Sequence, residues 1–249
     1  MAAAAAKKAI QVVLLDIEGT VCPISFVKDV LYPYSLSALP ETLASKWDSP
    51  SFAPYRDAFP AEYRASPEAL TAHVHDLVAR DVKASYLKGL QGLLWKEGYE
   101  NGTIKAPLFA DVLPAFTAWQ IAGITLMIYS SGSVAAQKLL FRYTGVVGEA
   151  TNASTPGKDV TPLLSDYFDT VNAGPKTAAA SYSTILAAHA KEFPNASSWL
   201  FLSDNVLEVA AAKEAGLQSY VVQRPGNAPL AATVADEHKV ITTFEGLEL

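Results

Sequence analysis

Short apolar runs that stop at polar residues recur along the chain. Residues 10–15 are rich in Val and Leu and end at Asp16, residues 124–129 end at Ser130-Ser131-Gly132-Ser133, and residues 199–202 end at Ser203-Asp204-Asn205. A fourth run spans 217–222 and a fifth 240–242. Runs this short, apolar without strict alternation, suit strands buried on both faces of a parallel sheet. Between them the apolar positions take a helical period, at 112–122, 134–143, 177–190 and 206–215, the last followed by Gly216 as a stop. Alternation of strand and helix predicts an α/β fold, a doubly wound, Rossmann-like parallel sheet with helices on both faces. In such sheets ligands bind beyond the carboxyl ends of the strands. Asp16, Ser130 and Asp204 stand at three such ends.

Residues 25–105 break the alternation. They carry helical patterns at 27–38, 67–82 and 84–95 and no strand pattern, and Pro50, Pro54 and Pro60 punctuate a loop containing Trp47, Phe52, Tyr55 and Phe59. The prediction is a helical cap domain at 25–105, inserted into a catalytic core made of 1–24 and 106–249. Residues 150–159 read as a surface loop.

Composition narrows the possibilities further. Of 249 residues, 50% are hydrophobic and 18% charged, which supplies a core and excludes a disordered chain. A net charge of -6 argues against a nucleic-acid surface, and it means an anionic ligand must be attracted locally. Cys22 has no second cysteine to pair with, which points to a reducing compartment. The alanine run at the N-terminus is cut by Lys7 and Lys8, too short for a signal peptide, and no later stretch reaches membrane-spanning length. The expected setting is the cytoplasm, and in a eukaryote the nucleus as well. The sequons at Asn101, Asn152 and Asn195 are then chance matches. His73 and His75, two apart on a helix, face different ways and make poor joint metal ligands.

Four constellations carry candidate chemistry. Asp16-Ile17-Glu18-Gly19-Thr20 places a carboxylate where it can attack phosphorus once a cation offsets their repulsion. Glu18 reaches the same pocket by carbonyl or side chain. Ser130 and Ser131 precede a helix whose first N–H groups attract anions. Lys176, in Gly174-Pro175-Lys176-Thr177, is suited to neutralise both Asp16 and phosphoryl oxygens. Asp204 suits a hard cation, with Glu208 one helical turn later holding a metal-bound water or orienting Lys176. Each has a plainer alternative: an exposed turn for Asp16, helix capping for the serines and Asp204, a solvated side chain for Lys176. The ordered set Asp, Ser, Lys, Asp at successive strand ends is harder to explain that way.

That order resembles the four-motif signature of the haloacid-dehalogenase superfamily. The text of residues 16–20 and 23–29 more closely resembles the enolase-phosphatase (acireductone synthase) family of methionine salvage. So do Tyr129-Ser130-Ser131-Gly132-Ser133, Tyr167-Phe168-Asp169-Thr170, Ser181-Tyr182 and Val222-Gln223-Arg224-Pro225-Gly226-Asn227. The first motif carries Glu18 where typical phosphatases of the superfamily carry Asp. The resemblance implies enolisation and then dephosphorylation of 2,3-diketo-5-methylthiopentyl-1-phosphate. It implies one magnesium ion per subunit, bound by Asp16, Glu18 (through its carbonyl) and Asp204, with substrate on Ser130, Ser131 and Lys176. Catalytic roles fall to Asp16, Glu18 and Lys176. A monomer with no nucleic-acid or membrane partner is expected. Ala173, Pro175 and Ala178 depart from the family pattern around the lysine, and the loop 150–162 is longer than usual. The rival readings are another small-molecule phosphatase of the superfamily and a non-catalytic binding protein on the same fold.

Overall fold

The computed structural model describes residues 10–147 and 157–249. The N-terminal alanine run, the sequon at Asn152 and most of the loop expected from residue 150 lie outside them. The described chain divides into two compact units, one formed by 10–25, 106–147 and 157–249, the other by 26–105.

The first unit is built on eight strands: β1 (Val12–Leu15), β2 (Ala106–Leu108), β3 (Thr125–Tyr129), β4 (Thr144–Val146), β5 (Asp166–Phe168), β6 (Trp199–Ser203), β7 (Gln218–Val222) and β8 (Val240–Ile241). Six form a parallel sheet in the order β5-β3-β1-β6-β7-β8, so β1 lies at the centre, where the chain reverses its direction of winding. All four residues of β1 are fully buried, as a strand covered on both faces requires. Leu15 lies opposite Ile128 on β3 and Leu202 on β6, so Asp16 emerges level with Tyr129 and Ser203. Val12, Leu14, Met127, Tyr129, Trp199 and Phe201 share a core cluster with Tyr182, Ile185, Ala211 and Ala212, which belong to helices flanking β6.

Two small pieces differ from the sequence expectation. β5 is a strand of three residues, and β2 pairs with β4 in a separate two-stranded sheet. Three residues are too few to show a period, so their pairing comes from the packing around them rather than from a local pattern.

The second unit contains α1 (Tyr32–Lys46), α2 (Ala53–Asp57), α3 (Pro67–Ala79) and α4 (Ser85–Glu100), with a π-helical turn at Val27–Leu31 leading into α1. Leu39 and Leu43, then Leu70, Val74 and Leu77, then Leu87, Leu90 and Leu94 recur three or four apart and form one buried cluster with Phe52 and Phe59. The expected helix 27–38 runs on to Lys46 because Pro40 sits inside α1 without ending it. The proline-rich loop holds the short α2, whose Pro54 stands in its first turn, where a missing N–H costs no helical bond. His73 stacks flat on Tyr63, with ring centroids 3.5 Å apart. The remaining helices belong to the first unit: α5 (Val112–Ile121), α6 (Val134–Arg142), α7 (Ala179–Ala188), α8 (Val206–Glu214) and α9 (Val234–Glu237).

A buried ion pair ties three distant segments of the first unit together. Arg224, 4% exposed, donates through Nη1 to both carboxylate oxygens of Asp111, at 3.0 and 2.8 Å, and through Nε to the Thr20 carbonyl at 2.9 Å. Its guanidinium lies between the rings of Phe109 and Phe244. Asp111 also accepts from the Phe244 N–H and the Thr243 hydroxyl. Burial acts to raise the Asp111 carboxyl, but the Phe244 N–H, Arg224 and Thr243 outweigh it and hold the group below its ordinary value of 3.8. Asp111→Ala leaves the Arg224 charge buried and unpaired, and is expected to lower unfolding free energy by about 3–5 kcal/mol in urea titration. Because the folded value is depressed, the stabilisation is present above the unfolded carboxylate range and disappears as pH falls through the folded value. Stability measured below pH 3.8 should therefore fall less steeply in Asp111→Asn than in wild type.

Candidate active site

The seven candidate residues meet. Asp16, Glu18, Ser130, Ser131, Lys176, Asp204 and Glu208, with Ile24, Asn205 and Val206, line one cleft of about 430 Å³ at the carboxyl ends of the central strands. All belong to the first unit.

Strand β1 delivers Asp16 with its N–H bonded to the Leu202 carbonyl of β6. The chain then turns sharply at Gly19, whose φ of 74° suits a residue without a side chain. A Cβ on Gly19 would also run into the Asp204 carboxylate. Thr20 is fully buried, and its hydroxyl accepts from the Asp204 N–H at 3.1 Å, which joins the first strand end to that of β6. Asn227 donates to the Gly19 carbonyl at 2.9 Å, and Arg224 holds the next carbonyl.

Capping and site-building fall to different residues. Ser133 caps α6, accepting from Ala136 N–H, so Ser130 and Ser131 are left to line the cleft. Asn205 caps α8, accepting from Leu207 N–H, so the Asp204 carboxylate is not used as the helix cap. The loop carrying the serines is fixed from beneath. Asp169 accepts from Val134 N–H at 2.9 Å, and Gln137 donates to the Gly132 and Phe168 carbonyls at 2.7 and 2.8 Å.

The charges are arranged around Lys176, which is 8% exposed. Its Nζ lies 2.5 Å from Asp16 and 2.7 Å from Glu208. Ser203 closes the ring, donating to Glu208 at 2.8 Å with Asp16 at 3.3 Å. Burial acts against the lysine's charge, but Asp16 and Glu208 more than offset it and raise its pKa, so Lys176 remains an ammonium. Glu208 is pushed up by burial and by Asp16, with Lys176 and Ser203 opposing. Asp204 is pushed up to about 7, first by burial and then by the charges of Asp16 and Glu208.

The cleft lining thus holds four acidic side chains and one basic one. Such a deficit of positive charge fits a cation. Among the described residues no three His, Cys, Asp or Glu side chains form a metal-holding group. Two carboxylates supplemented by main-chain oxygen and water is a donor mix that hard, oxygen-binding cations accept.

Ser203, Arg224, Asn227, Asp169 and Gln137 are residues that motif reading gave no role in the site. They act on loops rather than on a ligand. One signal was present in the sequence, a lone Gln137 between the apolar positions Val134 and Leu140 of a helix, since a buried polar group needs partners. Burial also accounts for Cys22, whose thiol is pushed up by desolvation and then by Glu18 and Asp16.

No helix among the described residues is long and apolar enough to cross a membrane. No family model matches the chain. The HAD-hydrolase YfnB of Bacillus subtilis, solved with magnesium, aligns with a TM-score of 0.53 at 13% identity over 96% of each chain, a likeness of fold alone. The crystal structure of the unknown transcript 4 protein of Saccharomyces cerevisiae aligns with a TM-score of 0.80 at 40% identity, over 96% of this chain and all of that one. An enolase-phosphatase E1 of Podospora anserina is 65% identical over 234 residues, 94% of this chain and 96% of its own length. With identity at that level over nearly the full length of both chains, this chain belongs to the enolase-phosphatase E1 family.

Proposed function

We infer that this chain enolises 2,3-diketo-5-methylthiopentyl-1-phosphate and then removes its phosphate, giving an acireductone, as the family name and the cleft together suggest. The observation that carries the reading is the Asp16 carboxylate, brought out at the sheet's switch point and held against the Lys176 ammonium, with the Ser130–Ser131 loop lining the same cleft. All seven proposed residues fall in the unit made of 10–25, 106–147 and 157–249, which supports catalysis in a core of 1–24 and 106–249 with 25–105 as a helical cap. We read the protein as a monomer working in the cytoplasm.

Magnesium, one ion per subunit, would be held by Asp16, Asp204 and the Glu18 carbonyl. Bound there, it would supply positive charge that offsets repulsion between the carboxylates and a phosphate. The chain's own groups do the rest. Asp16 attacks phosphorus, forming an aspartyl phosphate as the ester oxygen departs, and water then hydrolyses that acyl phosphate. Enolisation first makes the leaving group an enolate rather than an alkoxide, which departs more readily. Lys176 neutralises the transferring phosphoryl oxygens and Ser130 and Ser131 hold them, the Val134 and Ala136 N–H groups at the start of α6 being taken by Asp169 and Ser133. Glu208 and Ser203 hold Lys176 and Asp16 in register.

Anaerobic turnover of the diketone phosphate, following acireductone absorbance and phosphate release together, tests the reading. Phosphate release from simple phosphomonoesters at equal efficiency would favour a general phosphatase instead. Asp16→Asn should lower phosphate release by roughly a thousandfold or more, because an amide cannot form the acyl phosphate. With saturating magnesium it should still exchange the substrate's acidic proton for deuterium, detected by NMR. Wild-type phosphate release in that variant would rule out the nucleophile. Asp204→Asn should weaken magnesium binding at least about tenfold in calorimetric titration, with turnover falling in parallel.

A further inference from the structure

Lys176 sits in a loop between β5 and α7, outside any helix or strand, yet its ammonium must stay fixed between two carboxylates. A lysine side chain has four rotatable bonds, so accuracy at Nζ depends on accuracy in the main chain that carries it. The backbone there is held in an unusual way. Three successive carbonyls each accept a side-chain hydroxyl: Gly174 from Tyr129 at 2.8 Å, Pro175 from Ser181 at 2.7 Å and Lys176 from Tyr182 at 2.8 Å. Every donor comes from a regular element, Tyr129 from the end of β3 and the other two from the second half-turn of α7.

The three donors are themselves buried and packed. Tyr129 and Tyr182 are fully buried and Ser181 is 3% exposed. The tyrosine rings meet edge to face at 5.4 Å, and Tyr182 meets Phe201 of β6 in the same manner at 5.1 Å. The Tyr129 ring also faces the lysine ammonium, 5.9 Å from its centroid, so this residue contacts both ends of the loop it supports. Burial holds both phenols above their ordinary range, which keeps each as an O–H donor. Gly174 has a φ of 105°, and a Cβ there would stand 2.7 Å from the Ser181 hydroxyl, so the loop and its clamp fit only with glycine at this position.

We propose that Tyr129, Ser181 and Tyr182 are positioning residues for the reaction, their hydroxyls clamping the Gly174–Lys176 backbone so that the lysine ammonium is aimed at Asp16 and Glu208. The assignment rests on Lys176 serving phosphoryl transfer, as inferred above. None of the three hydroxyls needs to touch the substrate. Their effect passes through the position of one nitrogen, and misplacement on the scale of 1 Å is enough to cost about a hundredfold in rate.

The test uses Tyr182→Phe, which removes the hydroxyl and keeps the ring, with Ser181→Ala as a second variant should the first fail to fold. The first readout is independent of catalysis. Amine acetylation followed by mass spectrometry should label Lys176 several-fold faster in the variant, while the exposed Lys191 is labelled at its wild-type rate. The second is a double-mutant cycle on phosphate release. Tyr182→Phe should lower kcat about ten- to a hundredfold with a smaller change in KM, and should lower it no further in a Lys176→Ala background. Unchanged labelling of Lys176, or a loss of kcat that is fully additive with Lys176→Ala, would overturn the proposal. Absence of phosphate release by the wild type would instead overturn the functional reading, leaving the labelling to decide whether the clamp holds the lysine.

Discussion

The ammonium of Lys176, 2.5 Å from Asp16 and 2.7 Å from Glu208 and almost wholly buried, is the charge on which the cleft depends. Burial alone would strip a lysine of its proton, just as it would neutralise a carboxylate. Here the lysine keeps its charge because Asp16 and Glu208 lie beside it. The balance is nevertheless incomplete, since Asp204 is pushed up to about 7 by burial, Asp16 and Glu208 even with the lysine in place. An excess of buried negative charge at the ends of the central strands defines what the cleft can receive: a cation, or a ligand bringing one. It also accounts for a chain of net charge -6 serving an anionic substrate, because the attraction is local and works in surroundings that screen it poorly.

Accuracy in such a cleft has to come from loops, since the strands end where the chemistry begins. Each loop is held by buried or half-buried side chains that reach it from other segments of the unit. The turn after β1 is held by Arg224 at the Thr20 carbonyl and Asn227 at the Gly19 carbonyl, and the serine loop by Asp169 and Gln137. Main-chain groups turned away from water at the strand ends thus find polar side chains instead. The same bonds that satisfy the backbone therefore set the geometry of the groups that line the cleft. Arg224 extends this to the C-terminal segment through Asp111, so the position of Phe244 and the shape of the turn after β1 are parts of one network.

Chemically, the two halves of the reaction make different demands. Proton removal next to a carbonyl needs a base and stabilisation of oxygen charge, whereas phosphoryl transfer needs an in-line carboxylate and neutralised phosphoryl oxygens. A cleft with several carboxyl groups held at different burial, around one ammonium, holds groups suited to both. Performing enolisation first uses the substrate's own carbonyls to convert a poor leaving group into a better one.

Much of this was legible in one dimension. Apolar runs ending at Asp16, Ser130 and Asp204 implied parallel strands and a ligand site at their carboxyl ends, because a strand covered on both faces must be apolar throughout and must end where polarity resumes. The period of Leu70, Val74 and Leu77 implied helices in the insert for a similarly local reason. Local pattern could not settle which residues cap the helices and which face a ligand. Ser130 and Ser133 have the same chemistry, and only the path of the chain into α6 assigns capping to Ser133; Asn205 takes that role before α8 in the same way. Nor could it reveal β5, too short to show a period, or the pairings of Arg224 with Asp111 and of Tyr182 with the Lys176 carbonyl. Hydrogen bonds and ion pairs between residues far apart in sequence leave no periodic trace, because they depend on distances that exist only after the sheet has assembled. The sequence by itself determined the class of chemistry, through which residue types stand at the strand ends; the tertiary structure decided how each is aimed, since aim is a matter of which buried groups are left to satisfy one another.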